Sequence, residues 1–293
     1  MNRSEWLVIA LGAVWVMPAA AQQAMELRLT RTGVGVIEVR RAGVAKPILV
    51  QNALTDMRPY IHPLMAPDGI GVLTDFRPAD HKHQTGIFFG FANVNGRSFF
   101  HNTDGSFFRV REATVGHKRG RSVSWMVVSD WLDENGRAML TETQRWTMEH
   151  HGAYYFLDLD WSGQAAVDAT VAKYDYGGLF IRMPWHAGIA GEAISSEGLS
   201  NRAAEGQRAR WVDVGMAIAG RADWVHVAMM DHRGNPDHPV PWRVDGNLGI
   251  VPSRSRLGDW KIAKGETARA RYRLLVYTGR LNKELIQRYW DTF

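Results

Sequence analysis

Three consecutive stretches near the middle of the chain alternate between apolar and polar residues. They cover residues 122–131, 138–148 and 154–161, and turn sequences at 133–136 (Asp-Glu-Asn-Gly) and 150–152 (His-His-Gly) separate them. When polarity alternates every second residue, one face of the strand lies against the core and the other faces solvent. Turns as short as these join neighbouring strands in antiparallel order. The sequence therefore predicts a three-stranded antiparallel meander at the centre of the fold.

Further strand-like segments lie on both sides of this meander, each bounded by Gly, Pro, Asn or Asp. They are residues 34–40, 86–94, 178–183, 209–218, 224–230, 242–244 and 268–276. A helical pattern occurs at 282–289, where Asn282 is placed to cap the first turn. So many strands with short turns bury their apolar faces by packing as two sheets. We expect one all-β domain over residues 22–293, a large antiparallel β-sandwich with a short C-terminal helix.

Residues 1–21 have the form of a secretory signal peptide. A short basic start is followed by an apolar stretch at 6–16 and by Met-Pro-Ala-Ala-Ala at 17–21, the small-residue pattern that signal peptidase reads. Cleavage after Ala21 predicts a periplasmic or secreted protein that begins at Gln22. No later segment approaches the roughly 20 apolar residues of a spanning helix, so we expect no stable membrane insertion.

The absence of cysteine and the scattered charge exclude several classes of function. Without cysteine the chain has no disulfide, no thiolate nucleophile, no zinc–thiolate site and no acylated cysteine. Its 293 residues carry a formal net charge of +5, but the basic residues are interspersed with acidic ones. Such a pattern is typical of a solvated surface, whereas a nucleic-acid site needs a basic stripe. We therefore expect no nucleic-acid partner.

The sequence Asp-His-Lys-His-Gln-Thr-Gly at 80–86 places two imidazoles directly before an apolar strand. An extended backbone would point His81 and His83 to the same side, where they could share a proton path or a metal. In the alternative interpretation, His81 caps a turn for Asp80 and His83 covers the edge of the sheet. The His-x-His spacing alone does not decide between the two.

Two proline-stiffened segments add functional groups to this pair. One is Arg-Pro-Tyr-Ile-His-Pro at 58–63, and the other is the loop at 231–242. Rigid loops on the rim of a sandwich are well suited to hold binding groups. The alternative is that both are stiff turns whose polar groups only satisfy the backbone. The candidate residues from these segments are Arg58, Tyr60, His62, Asp231, Asn235, His238 and Trp242.

A fourth segment, at 174–186, contains Arg182 between apolar neighbours of a predicted strand. A cation in this position either faces solvent or is placed to meet an anionic or polyhydroxyl ligand. Aromatic rings stack on the apolar faces of sugars, while Asp, Asn, Arg and His bind their hydroxyl groups. Together with Trp242, these residues favour a small carbohydrate over a nucleotide, although most of the 12 tryptophans are expected in the core.

Five motifs in this order resemble the bacterial PmoA-like family of exported proteins, a domain of unknown function with the automatic label "methane oxygenase PmoA". The motifs are RPYIHPL, PADHKHQTGIFFGFANVNG, YGGLFIRMPW, ARWVDV and DHRGNPDHPVPW. The resemblance implies a β-sandwich of the galactose mutarotase-like kind and an association with sugar-catabolic systems that contain sugar oxidoreductases. The family pattern continues D-H-x-H with His or Gln, and this chain has Gln84 followed by Thr85.

The methane-oxygenase label conflicts with the physical requirements of both known oxygenase types. A subunit of a membrane oxygenase needs apolar spans, and this sequence has none after residue 21. A copper site of the histidine-brace type needs a histidine at the mature N-terminus, where cleavage after Ala21 would leave Gln22. We therefore reject an oxygenase function.

Two hypotheses remain. The first is an enzyme that acts on a glycoside or an oxidised keto sugar by histidine-assisted acid–base chemistry, as a lyase, hydrolase or epimerase. Its predicted catalytic residues are His83, His81, His62, Arg58 and Asp231, and its predicted substrate contacts are Tyr60, Asp80, Gln84, Arg182, Asn235, His238 and Trp242. The second is a glycan-binding module without chemistry. A divalent metal held by His62, His81 and His83 is a separate hypothesis, and the sequence identifies no other cofactor.

Overall fold

The computed structural model describes residues 25–55 and 57–293. The predicted signal peptide lies outside the described residues. The described strands are β1 (Leu27–Gly33), β2 (Val36–Arg41), β3 (Leu49–Asn52), β4 (Tyr60–Leu64), β5 (Ile87–Phe91), β6 (Phe108–Val115), β7 (Arg119–Gly120), β8 (Ser122–Leu132), β9 (Ala138–His150), β10 (Tyr154–Ala165), β11 (Ala169–Val171), β12 (Gly177–Ile181), β13 (Gly191–Ser195), β14 (Trp211–Ala217), β15 (Trp224–Asp231), β16 (Trp242–Val244), β17 (Ile250–Pro252), β18 (Trp260–Ile262) and β19 (Thr267–Gly279).

Two large antiparallel sheets are formed by these strands. One has the order β16-β17-β12-β5-β4-β3-β2-β1-β7, and the other has the order β13-β14-β15-β19-β10-β9-β8-β6. Strands β11 and β18 form a small additional sheet. Inner-face residues of the two large sheets share one apolar core, so the predicted all-β class with two packed sheets is confirmed.

The central meander predicted from alternation is confirmed as β8, β9 and β10. Its strands pair in sequence order with continuous antiparallel register, and β9 buries every second residue over most of its length. The C-terminal helix is also confirmed, as α1 (Lys283–Asp291), where the Asn282 side chain accepts a hydrogen bond from the Leu285 backbone N–H at 2.9 Å. Ile286 is fully buried against the outer face of the eight-stranded sheet. No described helix is both long and apolar enough to cross a membrane.

The segment at 58–63 was expected to be a rigid rim loop, and this prediction is wrong. Residues from Tyr60 onward form β4, which pairs with β3 on one side and with β5 on the other. Pro63 is tolerated because the β3–β4 ladder shifts its register between Ile61 and Leu64, so the missing N–H falls at an irregularity. The consequence is that His62 lies on a strand inside the nine-stranded sheet.

The outer face of the nine-stranded sheet carries a second apolar cluster that includes Tyr60, Phe88, Phe100 and Phe180. The chain after β5 folds back over this face, and it does so against Gly90. A Cβ atom at Gly90 would lie 2.4 Å from the Phe99 carbonyl oxygen. The absence of a side chain therefore allows the segment at 97–102 to lie directly on β5.

Replacing Gly90 by Ala should lower the free energy of unfolding by about 1–3 kcal/mol, because the added methyl must push the 97–102 backbone away from β5. Chemical denaturation measures this change. Gly246→Ala is the matched control, since no atom lies within 4 Å of its added Cβ, and it should stay within about 0.5 kcal/mol of the parent. Equal stability of the two variants would contradict this packing.

Candidate functional site

Arg58 connects the segments that surround the candidate site. Its side chain is 0% exposed, and Nη1 donates to the carbonyl oxygens of Phe99 (3.0 Å) and Phe100 (2.7 Å) and to Oδ1 of Asn102 (2.7 Å). Nη2 donates to the carbonyl oxygen of His83, and the guanidinium carbon lies 3.8 Å from the centre of the Phe88 ring. Arg58 therefore holds two loops on the outer face of the sheet.

The predicted catalytic role of Arg58 is thus replaced by a structural one. Burial lowers the pKa of its guanidinium to about 9, and the Glu142 carboxylate partly offsets this effect. The group remains charged at neutral pH, but its position beneath the loops keeps it away from any ligand bound at the surface. A charge buried without a carboxylate partner is tolerated here because carbonyl and amide oxygens surround it.

His81 and His83 lie next to each other, but not for the reason expected from an extended backbone. Residues 78–84 form two consecutive turns, in which the His81 N–H donates to the Pro78 carbonyl and the Gln84 N–H donates to the His81 carbonyl. The two imidazole centres are 5.7 Å apart, edge to face. His81 Nδ1 lies 2.9 Å from Oδ2 of Asp80, although the two atoms are poorly aligned for a hydrogen bond.

His101 joins this pair from the 97–102 segment. Its ring centre is 5.2 Å from that of His83, so three imidazoles from two loops form one cluster. His101 Nε2 is 2.8 Å from the Tyr176 hydroxyl, and Nδ1 is 2.8 Å from Oγ of Ser98. Oγ of Ser98 also accepts a hydrogen bond from the His101 backbone N–H at 3.2 Å.

These contacts allow two tautomers of His101, because the Ser98 oxygen can accept two hydrogen bonds. With the ring hydrogen on Nε2, Ser98 donates to Nδ1 and Nε2 donates to the oxygen of Tyr176, so the phenol keeps its own hydrogen for another acceptor. With the ring hydrogen on Nδ1, Ser98 accepts it and the Tyr176 hydroxyl donates to Nε2. The pKa of Tyr176 is raised to about 12, first by burial and then by Tyr174, and the group stays protonated at neutral pH.

His83 and His101 are uncharged at neutral pH. The pKa of His83 is lowered to about 3, mainly by burial and then by His101, Arg58 and His81, which disfavour a further positive charge. Burial also lowers the pKa of His101. The pKa of His83 is therefore far from the neutral range in which a histidine is an efficient general base.

A small cleft opens beside the cluster. It has a volume of about 60 Å³, which admits a functional group or the edge of a ring and is far smaller than an ordinary small-molecule pocket. Arg243 and Asp245 also line it. Oδ1 of Asp245 accepts from the backbone N–H groups of Asn247 and Gly249. The lining residues are His81, His83, Gln84, Phe100, Tyr176, Phe180, Arg243 and Asp245; we call this the histidine cleft.

His62 and Arg182 lie at the same end of the outer face, on either side of Gly86. A Cβ at Gly86 would be 3.3 Å from Cβ of His62, and the Gly86 carbonyl accepts from the Arg182 N–H. His62 Nδ1 is 2.9 Å from Oγ1 of Thr74. Nε of Arg182 is 4.0 Å from the Asp75 carboxylate, and the Arg182 side chain is 3% exposed. Both residues lie near the histidine cleft, but neither of them lines it.

The predicted site residues therefore divide into two groups. Arg58, Tyr60, His62, Asp80, His81, His83, Gln84 and Arg182 lie at one end of the outer face of the nine-stranded sheet. Asp231, Asn235 and His238 lie elsewhere, beside a cavity between the two sheets. The expectation of a single surface for all of them is wrong, because β15 ends at Asp231 in the eight-stranded sheet and its loop stays on that side.

Trp242 is a core residue, and its predicted stacking on a sugar is not compatible with its position. It is 0% exposed, and its Nε1 donates to the Ala209 carbonyl at 2.8 Å. Tyr60 is 7% exposed within the outer apolar cluster and Gln84 is 3% exposed. Because they are buried, these two side chains can present only an edge to a ligand.

Sequence reasoning did not select His101, Tyr176, Arg243 or Asp245. Tyr176 belongs to the sequence Tyr-Asp-Tyr at 174–176, and this pair of tyrosines could have identified it as a candidate. Only Arg182 was chosen from the motif that contains them. His101 carries no local pattern, because its role depends on the fold-back of the chain over Gly90. Within the described residues no group of three or more His, Asp or Glu side chains has the geometry of a metal site, so the hypothetical ligands His62, His81 and His83 do not converge.

Replacing Arg58 by Met should lower the free energy of unfolding by at least about 3 kcal/mol, because three carbonyl oxygens and the Asn102 amide lose their donor in a buried position. Arg28→Met, at a side chain that is 54% exposed, is the matched control and should change stability little. Urea denaturation compares them. A mild effect at Arg58 would show that the loops are held by other contacts.

Acid should destabilise the protein through His83. The unfolded chain protonates this residue below its ordinary pKa of 6.5, whereas the folded protein takes up the proton only at about pH 3. In this window the unfolded state binds more protons, so the free energy of unfolding falls as the pH drops. His83→Gln should give a shallower pH dependence between pH 6.5 and about 4, while His117→Gln, at an exposed position, should leave the slope unchanged. Parallel slopes for both variants would contradict the lowered pKa.

Solved structures with a similar fold include three carbohydrate-related proteins. The GH36 alpha-galactosidase AgaA from Geobacillus stearothermophilus is 10% identical, with a TM-score of 0.41 over 86% of this chain and 40% of that chain. The galactose mutarotase related enzyme from Lactobacillus acidophilus is 10% identical, with a TM-score of 0.34 over 86% and 97%. The alpha-galactosidase from Lactobacillus brevis is 8% identical, with a TM-score of 0.35 over 83% and 38%. Likenesses of this size identify neither a substrate nor an activity.

None of the curated proteins is similar enough to this chain to count as a match. A family model does match, over residues 47–291. Its description assigns no activity and does not tie the chain to the methane-oxygenase label. Because the match covers most of the sequence, the protein belongs to the family of unknown function DUF6807.

Proposed function

We propose that this protein is a carbohydrate-active enzyme whose acid–base chemistry takes place in the histidine cleft. The observation that carries the proposal is the pairing of Tyr176 with His101 at 2.8 Å, beside the uncharged ring of His83 at 5.2 Å. A proton donor and an uncharged acceptor thus lie side by side at a surface cleft. This is the arrangement that general acid–base catalysis requires.

The proposed roles use the tautomer of His101 that carries its ring hydrogen on Nε2. Tyr176 donates its phenolic hydrogen to an oxygen of the substrate, and the Nε2–H of His101 stabilises the phenolate that forms. His83 accepts a hydrogen bond from a substrate hydroxyl. Its low pKa makes it a weak base, so its contribution is orientation and transient proton acceptance. Arg243, whose Nη1 donates to Oε1 of Glu205 at 3.0 Å, lines the same cleft, and its proposed role is to stabilise negative charge on a substrate oxygen.

A sugar or keto sugar suits the cleft because each hydroxyl group needs both a donor and an acceptor. Arg243 and Tyr176 supply donors, and the carboxylate of Asp245 and a ring nitrogen of His83 supply acceptors. Tyr174, which is 38% exposed and packs edge-on against Tyr176 at 5.0 Å, offers a ring face at the mouth. The reactive edge of the sugar would enter the cleft while the rest of the ligand lies over this rim. Lyase, hydrolase and epimerase chemistry each remain compatible with these groups.

The proposal has two further parts: the protein is exported through its signal peptide, and it acts in the same pathway as sugar oxidoreductases. The first rests on residues 1–21 of the sequence and the second on the family resemblance. A keto sugar would be the product of an oxidoreductase, and an enzyme with the acid–base groups described would act after it.

A glycan-binding module is the second candidate, and the pKa of His83 is the observation that favours it. An imidazole with a pKa of about 3 is a good hydrogen-bond acceptor and a poor proton acceptor. In this case Tyr176 and His101 would only orient a hydroxyl group. Turnover distinguishes the two candidates, since binding alone leaves the mass of the ligand unchanged.

The test is a screen of purified protein against glycosides and their 3-keto derivatives, followed by mass spectrometry. For a substrate that is turned over, Tyr176→Phe and His101→Gln should each lower kcat/KM by about 100-fold, the usual scale for losing acid–base catalysis. His83→Gln should lower it by a similar factor if the ring accepts the proton, and mainly raise KM if it only orients the hydroxyl. His186→Gln, at an exposed histidine, is the control and should leave turnover intact.

Two results would contradict the enzyme. Unchanged turnover in Tyr176→Phe and His101→Gln would place the chemistry outside the histidine cleft. Saturable binding of a sugar without any change of its mass, weakened by the same variants, would identify a glycan-binding module.

A further inference from the structure

A second cavity lies between the two sheets, where the ladder of the eight-stranded sheet is incomplete. Strand β15 pairs with β19 only as far as Asp231 opposite Tyr272, whereas β10 continues along β19 to Thr267. The chain after Asp231 turns back over the uncovered edge. Asn235 fixes it there by donating to the Arg271 carbonyl at 2.8 Å and accepting from the Arg271 N–H at 2.7 Å. A cavity of about 350 Å³ remains beneath this loop.

Aromatic rings form most of the wall of this cavity. Phe91 and Trp260 meet edge to face at 5.4 Å, and Phe91 also contacts Trp161 at 5.9 Å in the same orientation. Tyr272 lies on the opposite sheet, with its ring 6.4 Å from Phe89. The volume falls within the range of small-molecule sites, and an aromatic lining of this kind accepts a flat apolar ring.

Three hydrogen-bond donors of the wall have no acceptor. The hydroxyl of Tyr272, a residue only 7% exposed, makes no hydrogen bond to any residue the structure describes. Nε1 of Trp260 and Nη1 of Arg254 are likewise buried without a partner among those residues. The guanidinium of Arg254 also lies 4.5 Å from the centre of the Trp260 ring. The guanidinium of Arg254 already donates through Nε to Oδ2 of Asp237 at 2.7 Å, and the two enclosed nitrogens reach a ligand only if their side chains shift. A donor without a partner is costly, so the Tyr272 hydroxyl is the group that most directly indicates a missing acceptor.

The carboxylate of the wall is already bonded. Oδ1 of Asp231 accepts from Asn235 at 2.6 Å, and Oδ2 is 2.8 Å from Nδ1 of His238. A polyhydroxyl ligand would bring several hydrogens into this cavity and would compete with these two partners for the Asp231 carboxylate. A ligand that carries acceptors but no donors matches the wall, and a carboxylate next to a guanidinium forms the stronger, charge-assisted hydrogen bonds.

We infer that this cavity is a second ligand site, separate from the histidine cleft, which binds a small aryl carboxylate. The aromatic ring lies among Phe91, Trp161 and Trp260. The carboxylate accepts a hydrogen bond from Tyr272 and lies next to the guanidinium of Arg254. The site goes beyond the proposed carbohydrate function and does not depend on it, because none of its residues lines the histidine cleft.

The test is calorimetric titration with benzoate, with benzamide as the neutral probe of the same shape and glucose as the polyhydroxyl probe. Benzoate should bind one-to-one with a Kd of about 1 mM or lower, and more tightly than benzamide, while glucose should give no saturable heat at this site. It should also raise the melting temperature, since a ligand that binds only the folded state stabilises it.

Variants locate the binding. Tyr272→Phe should weaken benzoate by about tenfold or more, the effect of one hydrogen bond to a charged group, and leave stability nearly unchanged because the hydroxyl has no protein partner. Ala268→Phe, whose side chain packs against the core beside the cavity, should abolish binding by filling the space, and its melting temperature shows whether it is folded. His83→Gln should bind benzoate as the parent does, so failure of the proposed enzyme activity and failure of this site are distinguishable.

The inference is overturned if benzoate does not bind at concentrations up to about 10 mM, or if Tyr272→Phe binds it as tightly as the parent. Equal or tighter binding of benzamide would refute the carboxylate, and saturable binding of glucose that Ala268→Phe removes would refute the aromatic ligand class.

Discussion

The buried guanidinium of Arg58 is the interaction on which the candidate site depends. It donates to the carbonyl oxygens of His83, Phe99 and Phe100, and so joins two loops that are distant in sequence. A buried cation needs several acceptors to offset its desolvation, and the loops provide them from their backbones. His83 and His101 are therefore close together because the backbones of both loops bond the same buried guanidinium, that of Arg58.

Glycine completes this arrangement where a side chain would prevent it. Gly90 lets the 97–102 segment lie directly against β5, because a Cβ there would lie only 2.4 Å from the Phe99 carbonyl oxygen. Desolvation by the same close packing lowers the pKa of His83 and His101. Packing and chemistry are thus linked, since the contacts that form the histidine cleft also keep His83 and His101 uncharged.

The two candidate sites arise from different features of the sandwich. The histidine cleft forms on an outer face, from loops that fold back over a complete sheet. The cavity between the layers forms where β15 leaves the ladder at Asp231 and β19 continues with β10 as its partner on one side only. Different positions give different chemistry, because the outer cleft mixes donors and acceptors at the surface while the inner cavity exposes aromatic core residues and unpartnered donors.

The architecture could be predicted from the alternation of apolar and polar residues and from the positions of the turn residues. The meander β8–β10, the remaining predicted strands and the capped helix α1 follow from local periodicity, which burial on one face of each element imposes. The sequence also identified the turn-rich segment at 80–84 and the loop at 231–242 as unusual. It did not determine that β4 forms in spite of Pro63, because tolerance of a proline depends on the register of the neighbouring strand.

Tertiary structure alone decided which polar residues meet. His101 and Tyr176 join His83 although 75 residues separate their own hydrogen-bonded pair, whereas Asp231 and His238 lie at another cavity and Arg58 and Trp242 are buried. A residue type and its spacing define what a side chain can do, but strand order and ladder length fix where it points. Because those long-range pairings form only when both sheets are assembled, the position of the site could not be obtained from the sequence.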